Sequence, residues 1–340
     1  MAEVDIEALA RGVRAADKSH VSRALNLIEN RRPDIERQMA KLLAVLAEGR
    51  AAVGSPAEQP RASTSHGHRV GLTGPPGVGK SSLVAVLARE LRERGKSVGV
   101  VAVDPSSMRS GGALLGDRAR MAFDPQDQGL FVRSLATQGA LGGLAHATHA
   151  AVEVLAAAYD IVLVETVGVG QTEIAVTHVA DTVVLVVQPG SGDVLQFLKA
   201  GVMEIPDLLV VNKADHGNTA SRAASDLKSA LATLRQVGAG DGELDVILTS
   251  ARDRQGVDKL ADALARHREL LGDVGVAQRR SAGHAAWSVD WLARRVGTLG
   301  LDALGGLEET SALLSAAVRR GQPALSAAQA LADKLAIALR

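Results

Sequence analysis

Short aliphatic runs alternate with longer amphipathic patterns through the middle of the chain. The runs are rich in valine, leucine and isoleucine, a composition typical of parallel strands that are buried on both faces. Between them, apolar residues recur three and four positions apart, which predicts helices. The alternation predicts an α/β domain in which helices flank a mostly parallel sheet, with ligands at the carboxyl ends of its strands. The predicted strands are 70–73, 98–103, 130–133, 161–164, 183–187, 208–211 and 246–248, and the predicted helices are 80–94, 141–158, 219–236 and 257–271.

Both ends of the chain have a helical pattern. Helices are predicted within residues 3–48 and again after about residue 275. Residues 49–68 are rich in small, polar and proline residues without a period, as expected of a linker. The arm after residue 275 is too short to enclose a large core, so its apolar face should pack on the α/β domain or on another subunit. We therefore expect a helical extension and linker over 1–60, an α/β domain over 61–275 and a helical arm over 276–340.

Composition and charge exclude several classes of function. The 340 residues include three Phe, two Trp and one Tyr, which leaves little for base stacking, and 38 basic residues balance 38 acidic ones. We therefore expect no nucleic-acid partner. The absence of cysteine excludes disulfides and thiolate metal sites. No segment reaches the roughly 18 apolar residues of a membrane helix, so we expect a cytoplasmic protein with no membrane partner.

A glycine-rich loop stands between the first predicted strand and the helix that follows it. It reads GPPGVGKS over residues 74–81 and fits the phosphate-loop pattern, in which a curled backbone presents N–H groups to phosphate oxygens. Lys80 would contact the β- and γ-phosphates, Ser81 would bind Mg²⁺, and the start of the helix would add its positive dipole. The predicted phosphate-binding residues are Gly74, Pro75, Pro76, Gly77, Val78, Gly79, Lys80, Ser81 and Ser82.

A second motif, NKAD, directly follows the predicted strand LLVV. Asp215 can accept hydrogen bonds from the ring N–H and the exocyclic amine of guanine, a donor pair that adenine lacks. Asn212 would brace the loop, and the stem of Lys213 would cover the base. Ser250 and Ala251, after the last predicted strand, would offer a backbone N–H to the guanine oxygen. Together with the phosphate loop, the motif predicts a GTP-binding protein.

Carboxylates after two other strands are candidate Mg²⁺ and catalytic groups. Glu165 ends an apolar strand and Asp104 ends another, although either carboxylate could simply terminate its strand. Gly168 could offer its N–H to the γ-phosphate and so distinguish GTP from GDP. Asp117 lies in a long aperiodic stretch where a switch would lie, or is a solvated loop carboxylate. Gln171 could orient the attacking water, but it stands two residues later than in Ras-like proteins; we therefore expect slow GTP hydrolysis without a partner.

Two histidines share one face of a predicted helix. His146 and His149 are three residues apart, which would suit a metal pair. Because no third ligand stands nearby in the sequence and the chain has no cysteine, we expect them to be ordinary surface histidines.

Several of these motifs, in this order and spacing, resemble a known family. GPPGVGKSSL, VAVDPSS, GDRARM, ETVGVGQTE and VVNKAD look like the methylmalonyl-CoA mutase-associated GTPases, the MeaB/ArgK family, which includes the human methylmalonic aciduria type A protein. The resemblance covers nearly the whole chain. It implies a homodimeric, Mg²⁺-dependent GTPase that is a chaperone of an adenosylcobalamin-dependent acyl-CoA mutase. Such a protein gates cofactor loading and protects or reactivates the mutase.

The same resemblance assigns roles outside the nucleotide motifs. The front segment SRALNLIEN looks like the family's helical extension, and the tail with Trp287 and Trp291 looks like its dimerisation arm. It also implies a switch through which the mutase and the nucleotide communicate. The predicted residues of that switch are Pro189, Gly190, Ser191, Gly192, Asp193 and Lys199.

Two other functions stay open at this point. A P-loop kinase or ATPase of the arginine/ornithine transport type would share the phosphate loop, but the NKAD motif argues against an adenine nucleotide. A metallochaperone GTPase for nickel insertion would need Cys or His metal ligands, and the chain has no cysteine.

Overall fold

The computed structural model describes residues 4–30, 32–48, 67–104, 123–124, 126–136, 146–166, 175–190, 206–236 and 244–338. Seven strands in these ranges form one sheet with the order β3-β2-β4-β1-β5-β6-β7. Neighbouring strands are parallel throughout, which confirms the predicted α/β class. The strands are β1 (His68–Thr73), β2 (Val98–Asp104), β3 (Leu130–Ala136), β4 (Ile161–Glu165), β5 (Thr182–Val187), β6 (Leu208–Val211) and β7 (Asp245–Leu248).

Helices cover both faces of this sheet and extend beyond it at either end of the chain. Strands β5 and β6 are buried along their whole length, because helices pack on both of their faces. The α-helices within the described ranges are α1 (Ile6–Arg14), α2 (Lys18–Glu29), α3 (Pro33–Glu48), α4 (Lys80–Glu93), α5 (His146–Ala158), α6 (Asn218–Gln236), α7 (Val257–Ala303), α8 (Gly306–Arg319) and α9 (Ala324–Ala338).

The two faces of the sheet belong to different hydrophobic clusters. On one face, α4 and the first turns of α7 pack against β1, β2 and β4. On the other face, α5 is covered by α1–α3 and by the later part of α7 with α8 and α9, in one continuous core. Both tryptophans of the arm belong to that core, since Trp287 is 7% exposed and Trp291 is 5% exposed. The arm therefore packs on the α/β domain, one of the two arrangements expected for its apolar face.

Helix α7 joins the α/β domain to the arm without an intervening loop. The pattern predicts a helix over 257–271 and helix again after about residue 275; in the structure these stretches form one element that runs to Ala303, with non-helical backbone at Gly272 and Gly297. The predicted boundary between residues 275 and 276 falls inside it. Within the ranges described, no helix combines the length and the apolar character that crossing a bilayer requires.

Buried charges lie at the amino ends of β1 and β5. Arg69 donates two hydrogen bonds to Glu153, at 2.6 and 2.8 Å, and Arg280 donates two to Asp181, at 2.7 and 2.6 Å. Burial opposes ionisation of Asp181, but the guanidinium of Arg280 outweighs it and lowers the pKa of this carboxyl. We call these four residues the basal ion cluster. It fastens α5 and α7 to the start of the sheet.

The expectation of two surface histidines is wrong for His149. Its side chain is 3% exposed and stacks on Trp287, with ring centroids 4.3 Å apart and the ring planes 5° from parallel. The reason is that this face of α5 packs against α7 rather than facing solvent. The expected lack of a third ligand is also wrong, because Glu153 and His284 lie beside His149. The side chain of His146 lies outside the described part of the structure.

Candidate nucleotide-binding site

The phosphate loop leaves β1 through a glycine that no other residue could replace without strain. Gly74 has a φ of 140°, and a Cβ atom there would lie 2.0 Å from the carbonyl oxygen of Val186. Gly79 caps α4 with a φ of 90°, and a Cβ there would lie 2.7 Å from the side-chain amide of Asn212. These two glycines therefore let the loop come close to β5 and to the residue that follows β6. Helix α4 begins directly after Gly79, so the N–H groups of its first turn lie at the loop.

Lys80 is folded back over the loop. Its ammonium group donates hydrogen bonds to the carbonyl oxygens of Gly74 and Pro75, at 2.7 and 2.9 Å, and the residue is 7% exposed. The positive charge is therefore held at the concave side of the loop. Pro76, Gly77 and Ser82 are exposed, whereas Val78 is buried and anchors the loop in the core under α4.

Ser81 and Glu165 meet beside the loop. The Ser81 hydroxyl donates to Oε1 of Glu165 at 2.6 Å, and Glu165 is 5% exposed. The pairing follows from strand order, because β4 lies next to β1 and brings Glu165 alongside Leu72. Mg²⁺ prefers oxygen ligands such as a hydroxyl and a carboxylate, so Ser81 and Glu165 fit that ion.

The second predicted carboxylate ends the neighbouring strand. Asp104 is the last residue of β2, two positions beyond Ala102, which is paired with Glu165. Its backbone thus reaches the same edge of the sheet, and its side chain lies outside the described residues. The remaining predicted switch and catalytic residues also lie outside them: Asp117, Gly168, Gln171, Ser191, Gly192, Asp193 and Lys199.

Asn212 ties the phosphate loop to the end of the sheet. Its side-chain amide donates to the carbonyl of Val78 at 2.9 Å, and its oxygen accepts from the Thr249 hydroxyl at 3.2 Å and from the Ala251 N–H at 3.3 Å. The residue is 1% exposed. The bracing expected of this asparagine is therefore present, although Thr249 was not among the predicted residues.

Lys213 spans the loop rather than lying free. With a φ of 62°, it directs its ammonium group to the carbonyl oxygen of Gly77, at 2.8 Å, and to the side-chain oxygen of Gln188, at 2.5 Å. Gln188 follows β5 and precedes Pro189 and the exposed Gly190. Sequence reasoning missed Gln188, because a glutamine after a strand has no motif of its own.

The residues expected at the guanine base lie together. Asp215 is exposed in a short 3₁₀ turn, and its Oδ1 accepts a hydrogen bond from the Ser250 hydroxyl at 3.0 Å. The backbone N–H of Ser250 donates to Gln255, at 2.9 Å, and that of Ala251 donates to Asn212. The structure thus brings Asp215, Ser250 and Ala251 to one side of the phosphate loop.

Curated relatives match from about two thirds to nearly all of the chain. A probable GTPase of Mycobacterium tuberculosis is 39% identical over 336 residues, which cover 96% of this chain and 94% of the relative. The mitochondrial methylmalonic aciduria type A homolog of Mus musculus is 40% identical over 223 residues, covering 64% of this chain and 54% of that protein. A crystal structure described as a LAO/AO transport system kinase is 26% identical, with a TM-score of 0.63 and coverage of 98% and 99%.

A family model also matches. Residues 21–298 fit the model described as methylmalonyl Co-A mutase-associated GTPase MeaB. The match begins within α2, spans α3, the whole sheet and most of α7, and includes the phosphate loop and the NKAD motif. The chain therefore belongs to the MeaB family of methylmalonyl-CoA mutase-associated GTPases and is a P-loop GTPase.

Proposed function

We propose that this GTPase is a Mg²⁺-dependent G-protein chaperone of an adenosylcobalamin-dependent acyl-CoA mutase, with methylmalonyl-CoA mutase as its partner. It gates loading of the cofactor into the mutase and protects or reactivates that enzyme in the cytoplasm. The observation that carries the proposal is the double contact of Lys213, which joins the phosphate loop to the segment that begins at Pro189. The family description names the same mutase.

The phosphate loop would bind the triphosphate. The loop N–H groups and the start of α4 would hold the phosphate oxygens, and Lys80 would exchange its two carbonyl partners for the β- and γ-phosphates. Ser81 and Glu165 would hold Mg²⁺, with Asp104 and Asp117 as further candidates. The bound ion would supply charge neutralisation at the phosphates. Gln171 is the candidate for orienting the attacking water.

The NKAD motif would select guanine. Asp215 presents an exposed carboxylate whose Oδ1 accepts from the Ser250 hydroxyl, and its oxygens would accept from the N–H groups of the base. Asn212 would hold the NKAD motif at a fixed distance from the phosphate loop, because its side chain bonds to Val78 of the loop and to Ala251. A nucleotide with adenine would leave Asp215 without the donor pair that guanine offers.

The coupling to the mutase would run through Gln188. Loss of the γ-phosphate changes what the phosphate loop contacts, and Lys213 passes any movement at Gly77 to Gln188 and then to Pro189. The stretch from Pro189 to Lys199 would be the segment that the mutase contacts, and Gly168 would sense the γ-phosphate.

Exposed apolar side chains on the arm support a homodimer. Large hydrophobic residues rarely stay exposed in clusters unless another surface covers them. The tryptophans that the resemblance associates with the dimer are buried within the chain, so other residues of the arm would make the contact. The exposed ones on the arm are Leu299, Leu307, Leu313 and Ile337, and Leu270 and Val274 are exposed directly before it.

The proposal is tested by GTP turnover with purified methylmalonyl-CoA mutase. We expect the turnover of the wild-type protein to rise when the mutase is added. Gln188→Ala should keep the turnover measured alone but lose much of the stimulation, because the link from Lys213 to the 189–199 segment is broken. Gln128→Ala, which changes an exposed glutamine elsewhere, is the matched control and should be stimulated like the wild type. Unchanged wild-type turnover, with no co-purification of the two proteins, would contradict the partner.

The kinase-like alternative keeps one observation in its favour, the description of the 26% identical structure as a transport system kinase. It requires an adenine nucleotide as phosphoryl donor. Competition of GTP against ATP for the same site separates the two functions, since equal affinities would remove the basis for a guanine-specific switch.

A further inference from the structure

A cavity of about 440 Å³ lies near the amino ends of β1 and β5, outside the nucleotide site. Helices α3, α5 and α7 and the turn between α8 and α9 enclose it. Much of its wall is apolar, including Leu43, Val276 and Leu325. The polar part of the wall is concentrated on α5 and α7, where His149, Glu153 and His284 face the cavity.

These three side chains form a compact group of ligand-type atoms. One atom from each residue, an imidazole nitrogen or a carboxylate oxygen, lies within 4.8 Å of the other two. His149 and Glu153 are four residues apart on α5 and therefore share one face of that helix. His284 approaches from α7, with its Nε2 2.7 Å from Oε1 of Glu153.

The surroundings hold each group in place. The His149 ring is stacked on Trp287 and its centroid is 5.2 Å from that of His284. Arg69 grips the Glu153 carboxylate through both oxygens. Hydrogen-bonded partners of this kind are a regular feature around metal-ligating carboxylates, because they fix the orientation of the ligand.

Electrostatics do not oppose a cation here. Arg69 and Arg280 contribute two positive charges to the basal ion cluster, and Glu153 and Asp181 contribute two negative ones, so the cluster is neutral as a whole. Each carboxylate oxygen can accept more than one contact. Glu153 can therefore keep Arg69 and bind an ion as well.

We propose that His149, Glu153 and His284 bind one divalent transition-metal ion, of the Zn²⁺, Co²⁺ or Ni²⁺ type. Two imidazoles and one carboxylate match the preferences of these ions, whereas Mg²⁺ prefers oxygen ligands alone. His284 coordinates through Nε2, carries its proton on Nδ1, and exchanges its hydrogen bond to Glu153 for the metal. Three protein ligands leave at least one coordination position, which faces the cavity and takes water or a small anion.

Such an ion links two parts of the chain. Two of its ligands lie on α5, which packs on the sheet, and the third lies on α7, which continues into the arm. Metal binding therefore stabilises the packing of the arm on the α/β domain. This role is separate from nucleotide chemistry, because none of the three residues belongs to the phosphate loop or the NKAD motif.

The test is titration of the full-length, chelator-treated and nucleotide-free protein with Co²⁺ in the presence of excess Mg²⁺. We expect one Co²⁺ per chain, a visible absorption spectrum of nitrogen and oxygen coordination, and displacement by Zn²⁺. Zn²⁺ should also raise the thermal unfolding midpoint, since the ion binds the folded state.

The test variant is His284→Gln, a partly exposed position whose change leaves His149 packed on Trp287. Affinity for Co²⁺ should fall by more than about 100-fold, because even changes next to a metal ligand cost about 10–100-fold. His20→Gln is the matched control: His20 also pairs with a carboxylate, Asp17 at 2.7 Å, but lies outside the cavity. The proposal is overturned if the wild type binds no stoichiometric Co²⁺, or if His284→Gln binds it as the wild type does.

Discussion

The two ends of strand β1 are built in different ways. At its carboxyl end, the phosphate loop of residues 74–81 is a continuous segment whose shape comes from glycine backbone and from the start of a helix. At its amino end, Arg69 pairs with Glu153 and Asp181 pairs with Arg280, partners that are 84 and 99 residues apart in the chain. The carboxyl end is built from residues close together in the sequence, and its N–H groups and lysine would bind a ligand. The amino end is built from residues far apart in the sequence, and its charged side chains pair with one another.

This difference assigns function and stability to separate ends of the same strand. In the phosphate loop, the lysine contacts backbone carbonyl groups, which we propose that it exchanges for phosphates. Breaking a buried pair of opposite charges, by contrast, costs much free energy, because the remaining charge stays buried without its partner and without water. Changes at one end should therefore alter nucleotide binding, and changes at the other end should alter the free energy of unfolding. Four experiments test that separation.

Arg280→Ala should have the largest effect on stability. Asp181 is fully buried, and without Arg280 it would keep the backbone N–H of Arg69 but lose two charged hydrogen bonds. We expect the free energy of unfolding to fall by about 3–5 kcal/mol, measured by urea denaturation. Arg294→Ala, which breaks a surface pair on the same helix, should cost less than about 1 kcal/mol. Similar losses for the two variants would contradict the structural role of the cluster. A lower GTP affinity in folded Arg280→Ala would show that the two ends of the sheet are coupled.

Lys80→Ala should affect the other end. The variant removes the cation that would hold the phosphates, so the affinity for GDP and GTP should fall by at least about 100-fold. Fluorescent-nucleotide titration measures this loss, and the thermal unfolding midpoint without nucleotide should stay near that of the wild type. Lys96→Ala, at an exposed lysine beyond α4, is the control and should bind nucleotide normally. An unfolded Lys80→Ala protein would assign this lysine a structural role instead.

Lowering the pH should reduce the free energy of unfolding through His68, at the amino end of β1, before any carboxylate there is protonated. Burial lowers the pKa of His68 to about 4 from 6.5, with the nearby charges of His267, Arg268 and Arg280 acting in the same direction and Asp181 acting against them. As the pH falls from 6.5 towards 4, the unfolded chain binds a proton that the folded chain does not, so the stability contributed by neutral His68 is lost.

The size of this effect can be measured by denaturant unfolding at pH 7 and pH 5. From the pKa shift of His68, we expect a loss of about 2 kcal/mol between these conditions. His68→Gln should flatten the dependence, whereas His216→Gln, at an exposed histidine, should leave it unchanged. A profile that is the same in His68→Gln and the wild type would show that another group carries the pH dependence.

Asp215→Asn should change which base is bound rather than how tightly phosphates are held. The variant replaces an acceptor with a donor at the guanine edge, so the preference for GTP over ATP should fall by at least about tenfold. Competition titrations with both nucleotides measure the ratio. Asp226→Asn, on the exposed face of α6, serves as the control. Guanine preference that survives in Asp215→Asn would mean that other groups read the base.

Local pattern was sufficient for most of the sheet. The strand 208–211 has the predicted bounds, and the others differ by a few residues at their ends, because strands buried on both faces are almost continuously apolar. The bracing contacts of Asn212 also agree with the motif. The helix over 257–271 and the helical pattern after about residue 275 were both predicted, but the pattern does not show that they join into one element, α7, across Gly272.

The miss at His149 has a different cause. Two histidines three residues apart on a helix predict only a shared face, and whether that face meets water depends on what packs on it. Here it meets Trp287 of the arm, more than a hundred residues later in the chain. The contact of Lys213 with Gln188 was missed for the same reason, because it depends on the order of β5 and β6 in the sheet.

The sequence by itself determined the phosphate loop, the position of the NKAD motif after a strand, and the α/β class. Each of these depends on residues that are close in the chain, where backbone geometry and side-chain chemistry act over short distances. Tertiary structure alone decided that Ser81 meets Glu165, that Arg69 and Arg280 find buried carboxylates, and that His149, Glu153 and His284 share a cavity. These contacts join distant segments, and only the packing of helices on a sheet of fixed strand order brings such segments together.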